Sequence, residues 1–95
     1  MAKHVGGQHT VAATAAALAA DTESYKQITV RLNTGAAVCY FGDSDVTAVP
    51  ANAHGFLKAE ESYTFGPYST GGVQPSSLFF IGTAGNILFW DAMPV

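Results

Sequence analysis

The residues most suggestive of chemistry are two carboxylates separated by one position, Asp43 and Asp45 in the run GDSD. Their spacing is that of the first ligands of a calcium loop. The other ligands and the closing glutamate of an EF-hand do not follow, so the run reads as a solvated turn. His4, His9 and His54 are scattered, and none stands at zinc-site spacing from a cysteine. Glu60 and Glu61 are adjacent. On a strand their side chains would point to opposite faces, so they cannot flank one glycosidic bond and read instead as charges guarding a strand edge. Serine, histidine and aspartate all occur, yet there is no nucleophile elbow and nothing to activate a particular serine. Phosphate loops and dinucleotide fingerprints are absent. The expectation is therefore no enzyme, no catalytic or metal site and no cofactor. Function should reside in surfaces.

Composition supports that direction. Hydrophobic residues make up 48% of the 95-residue chain and charged residues 12%, about half the usual charged share. Disorder requires the opposite balance, and so few charges imply surface covered by something other than water. Seven acidic against four basic side chains give a net charge of −3, with no basic stripe for nucleic acid. The single cysteine, Cys39, lies in the apolar run AAVCYF and reads as buried and inert; one thiol fits a reducing compartment such as a host cytoplasm. Lys3 followed by VAATAAALAAD has the outline of a secretory signal, but alanine is too weakly apolar for its central region, so no export is expected. No run approaches the roughly 18 apolar residues of a membrane span.

The elements that must carry any surface are short strands. In YKQITVRL, Ile28, Val30 and Leu32 share one face while Gln27, Thr29 and Arg31 share the other, the mark of a half-buried strand. Asn33-Thr34-Gly35 then turns the chain and AAVCYF returns. GDSD makes a further turn, VTAVPANAHG is irregular, and Phe56-Leu57 would anchor a loop on the core. SYTF is a short strand, and GPYSTGGVQPSS a long loop of turn formers. Residues 1–10, with Gly6-Gly7 and no periodicity, read as a flexible arm that orders against a partner. Residues 11–20 are alanine-rich; propensity favours a helix, but only Val11 and Leu18 offer an apolar face, and among strands the segment reads as extended. The fold class is all-β: a small antiparallel β-sandwich or jelly-roll-like barrel over residues 11–95, preceded by the arm.

The closing stretch LFFIGTAGNILFW reads as a hairpin around a glycine-containing turn. It does not alternate. With Leu78, Phe80, Ile87 and Phe89 turned to the core, the opposite face carries Phe79, Ile81, Leu88 and Trp90. Burying those four is worth about 6–12 kcal/mol as an upper bound, comparable to a domain's whole stability of about 5–15 kcal/mol. These four residues are the expected interface with a subunit or partner, the alternative being that a second sheet or the alanine-rich segment covers them within the chain.

Several motifs together resemble small β-sandwich virion proteins of tailed bacteriophages. Thr14 to Leu18 matches an extended T-A-x-x-L segment and Asn33 to Gly35 an N-x-G turn. Val38, Tyr40 and Gly42 with Val46-Thr47 match a V-Y-V-G-x-x-x-V-T strand and its exit. Gly55-Phe56-Leu57 with Glu61-Ser62 matches G-F-x-L-x-x-G-E-S, and Leu78, Phe80, Ile81 and Gly85 match the closing element. Two departures stand out: Glu60 occupies the glycine position of the pattern in a segment, Phe56 to Glu61, that is a residue shorter than the pattern, and the loop from Gly66 to Ser77 is longer than the pattern has. The resemblance implies a noncatalytic particle component, most often a capsid decoration (cement) protein on the virion exterior. Its expected partners are the major capsid protein and further copies of itself, with a trimer favoured, and neither nucleic acid nor membrane. The alternative is a fibre- or tail-associated adhesin or carbohydrate-binding module that uses the loop around Tyr68.

Overall fold

The run YKQITVRL forms a strand, β3 (Tyr25–Leu32), whose Ile28, Val30 and Leu32 are fully buried, as the alternation requires. The computed structural model describes residues 5–33, 35, 38–47, 53–69 and 71–94. The first four residues of the expected arm with His4, Thr34 of the N-x-G turn, Ala36-Ala37 and residues 48–52 with Pro50 lie outside them. The other strands are β1 (Val5–Thr10), β2 (Ala16–Ala17), β4 (Cys39–Gly42), β5 (Gly55–Leu57), β6 (Ser62–Phe65), β7 (Phe79–Ile81) and β8 (Ile87–Pro94).

They form two four-stranded antiparallel sheets with strand orders β1-β8-β3-β6 and β2-β7-β4-β5. The pairings β1·β8, β2·β7, β3·β6 and β4·β5 are nested, as in one long hairpin with its tip between β4 and β5. Rolled up so that β3 also meets β8 and β4 meets β7, that ribbon is a jelly roll. The all-β sandwich expected from the sequence is the observed fold.

Between the sheets lies one apolar cluster with Ile28, Val30, Leu32, Phe41, Phe80 and Leu88 at its heart. No described polar or charged residue is buried in it. The alanine-rich segment is extended rather than helical: Ala16–Ala17 pairs with β7, and Val11 and Leu18, its two larger apolar side chains, are both in the core. Propensity for helix loses here to burial of those two anchors and to ladder bonds from β7.

Three expectations need correction. Residues 5–10 are not a loose arm but the edge strand β1, paired with β8 from Val5↔Ala92 to Thr10↔Ile87. Gly6 is there for proximity rather than flexibility, since a Cβ on it would stand 2.5 Å from the Trp90 carbonyl oxygen. Phe56-Leu57 belongs to a strand, β5, and not to a loop. Finally, β7 and β8 are not a hairpin. They lie in different sheets, and residues 82–86 arch from one to the other. That arch is tied down by Val11, whose N–H donates to the Asn86 carbonyl (2.7 Å) and whose carbonyl accepts from the Gly85 N–H (3.0 Å). Asn33, expected to turn a hairpin, instead accepts the Ile87 N–H on its side-chain oxygen (3.2 Å).

Candidate functional site

The residues with chemical potential are dispersed by the fold. Asp43, at the exit of β4, stands 3.6 Å from His54 Nε2 just before β5, and both side chains are largely exposed. Asp45 is in the same turn. Among the described residues no three His, Cys, Asp or Glu side chains gather closely enough to hold a metal ion. Glu61 bonds within its own turn, accepting the Lys58 N–H at 2.8 Å on its carboxylate. Glu60 beside it has φ +66°, a left-handed conformation that favours glycine. Holding a non-glycine residue there stores backbone strain in the turn.

Cys39 is buried on the core side of β4, and desolvation pushes its thiol up to about 11. A thiol so placed is a poor nucleophile, as its apolar setting suggested. His9 leans inward from β1 toward the Phe80 ring, with centroids 6.1 Å apart. Desolvation lowers its pKa against a smaller opposing bond to the Leu18 backbone, and its Nε2 has no hydrogen-bond partner. Asp21 and Tyr25 form a short polar contact, a 2.5 Å bond from the phenol to the carboxylate.

The expected interface set divides in two. On β7, Phe79 and Ile81 lie opposite Phe80 and face away from the core, as expected; Ile81 is nearly covered and Phe79 half-buried. On β8 the expectation is inverted. Leu88 is 0% exposed inside the sandwich, and Trp90 packs against the core from the same face, while Phe89 points outward at 44% exposure. The physical reason is the arch. Hairpin partners share one register, but strands of opposing sheets each choose the parity that buries their own large residues.

Two surface features were missed from the sequence. The first is the outer face of the β2-β7-β4-β5 sheet. There Tyr40 lies opposite Phe56 on β5 and Ile81 on β7, and the Tyr40 and Phe56 rings are 6.0 Å apart. Phe56 is 52% exposed. The alternation in Cys39-Tyr40-Phe41, apolar side chains inward with a phenol outward, was the available signal. The second is Phe89 on the opposite sheet, flanked across the ladder by Gln8 and Arg31.

Comparison with known proteins adds little beyond the fold. No protein-family model matches the chain, and no curated protein matches it. Among solved structures the chain is similar to one described under the words "Bacillus endospore appendages form a novel family of disulfide-linked pili". The identity is 19%, the match covers all of this chain and 88% of that one, and the TM-score is 0.43. A likeness at that level is carried no further.

Proposed function

We propose that this chain is a structural protein of a tailed-phage virion, a decoration protein that binds the outside of the capsid and stabilises the major capsid lattice. The observation that carries the reading is where the phage-like motifs fall. They supply all four strands of one sheet: Ala16-Ala17 in β2, Tyr40 and Gly42 in β4, Gly55 to Leu57 in β5, and Phe80 and Ile81 in β7. The outer face of that same sheet presents Phe56, Tyr40 and Phe79. A half-exposed phenylalanine beside a tyrosine is the composition of an interface core, where aromatic residues are enriched and charges depleted.

The mechanism is linkage. A protein that binds only the assembled shell stabilises it by RT ln(1 + [L]/Kd), about 2.7 kcal/mol per site at a hundredfold excess over Kd. Such a role needs no catalytic group, and an assembly of three copies would multiply the contacts through avidity.

Reconstruction of the particle that encodes this chain tests the reading. Copies distributed over the whole shell, with Phe56 buried against the major capsid protein, are expected. Phe56→Asp should leave the circular dichroism spectrum unchanged while the protein disappears from purified particles. Absence of the wild-type chain from particles, or a few copies confined to the tail, would refute the proposal.

A further inference from the structure

We infer that the end of the sandwich where β4 and β6 finish and β7 begins is a binding site for a single neutral sugar ring. A cavity of about 190 Å³ opens there, walled by Phe41, Phe65 and Phe79. It is smaller than the roughly 300–1,000 Å³ of sites for drug-sized ligands, which limits its occupant to one ring-sized unit.

The polar groups are grouped around the opening of these aromatic walls. Asp43 and His54 line the cavity side by side, 3.6 Å apart, and both reach solvent. A carboxylate accepts from two hydroxyls at once, and an imidazole can donate to or accept from a third. Ser77 also lines it. Its Oγ already donates to the Gln74 carbonyl at 2.8 Å, which leaves the oxygen lone pairs free to accept from a ligand. Tyr68 completes the lining at 43% exposure. Its position is built in. Gly66 has φ +103°, and a Cβ there would stand 2.6 Å from the Lys26 carbonyl oxygen and 3.1 Å from Tyr68 Cδ2. The Tyr68 N–H then donates to that same carbonyl at 3.0 Å.

A saccharide ring is apolar on its C–H faces and hydroxylated around its edge, and this cavity offers aromatic surface to the first and acceptors to the second. Anionic ligands do not suit it, because among the described residues no lysine or arginine lines it and the Asp43 carboxylate does. Hydrolysis does not suit it either. Glycosidases need two carboxyl groups across the bond, and Asp43 is the only one among the described residues of the lining. The site is therefore for recognition. It does not rest on the capsid-docking reading, and particle reconstruction leaves it untouched.

The test is titration of the isotope-labelled full chain with glucose, galactose, mannose and N-acetylglucosamine, followed by amide chemical shifts. Each is taken to about 50 mM, far past a Kd of ~1 mM. At least one sugar should give saturable shifts at Gly42, Asp43, His54, Tyr68 and Ser77. Tyr68→Ala and Asp43→Asn should each weaken it roughly tenfold, the size of one lost contact worth 1.4 kcal/mol, whereas Tyr68→Phe retains binding. Glucuronate should bind more weakly than glucose. No shifts with any of the four sugars, shifts that survive both weakening variants, or tighter binding of glucuronate would each overturn the proposal.

Discussion

Adjacent residues on β8 provide a sharp test of the arch between β7 and β8. Leu88 is fully buried between the sheets, while Phe89 is 44% exposed on the outside. Leu88→Ala removes a side chain from the cluster that holds Ile28, Leu32 and Phe80, and leaves a cavity that surrounding strands cannot fill. Such changes cost about 2–5 kcal/mol, so about 3 kcal/mol is expected. At about 0.05–0.15 kcal/mol per residue the whole chain has roughly 5–14 kcal/mol, and this single change removes a large fraction of it. For a domain of this size the melting temperature should fall by about 12–24 °C. Phe89→Ala leaves no cavity and gives up only a partly covered ring, so about 1 kcal/mol is expected. Urea unfolding followed by the fluorescence of Trp90, the only tryptophan, measures both. A hairpin with Phe89 inside predicts the reverse order. If Phe89→Ala costs as much as Leu88→Ala or more, the parity of β8 and the arch that sets it are refuted.

Two further predictions concern the turns and the pH range. Glu60→Gly should stabilise the protein by about 1 kcal/mol in the same urea assay, because glycine relieves the left-handed strain at φ +66°; no gain would show that the strain is compensated elsewhere. The Tyr25 hydroxyl, ahead of the Glu23 amide, holds Asp21 below the usual carboxylate range, so its stabilisation is present above that range and is lost as pH falls through the lowered pKa. The same bond is the main cause pushing Tyr25 up to about 12, so its share is full below the ordinary tyrosine pKa of about 10 and is lost as pH rises through about 12. Tyr25→Phe should flatten the profile of unfolding midpoint against pH at both ends, and an unchanged profile would remove this bond from the account.

Where the sequence alternated strictly, the fold was legible. YKQITVRL became β3 with Ile28, Val30 and Leu32 inside, and SYTF became β6. The two larger apolar residues of the alanine-rich segment, Val11 and Leu18, were the ones the core took. What failed was pairing over distance. GTAG between two apolar runs looks the same whether the runs pair or face each other across a core, because local patterning records burial and not the partner. β1 was missed for a related reason: an edge strand beside β8 needs close backbone approach more than apolar alternation, and Gly6-Gly7 reads locally as looseness. The surface followed the same rule. With apolar residues at every position, patterning did not decide which face of either strand turns inward: the supposed orientation holds for Phe79 and Ile81, while that of Leu88 and Trp90 depended on a register that does not exist. The cavity near Tyr68 was half visible in the long loop; its other half, Asp43 with His54, comes from separate segments that only the fold brings together.

The position of β8 has a consequence for how the protein is made. It comes after every other described strand, yet it lies inside its sheet, between β1 and β3. On the ribosome β1 therefore has no partner strand until 77 further residues, 11 to 87, bring the chain from Thr10 to Ile87. At about 5–20 residues per second that interval lasts roughly 4–15 s, and for the larger part of it Ile28, Val30 and Leu32 have no strand β8 beside them. A chain cut short before Ile87 retains only the β3·β6 pair of that sheet, leaves its half of the core open, and becomes a substrate for proteolysis. Closure of the sandwich thus waits for β8, and only chains that already carry it acquire the surfaces that could recognise a partner.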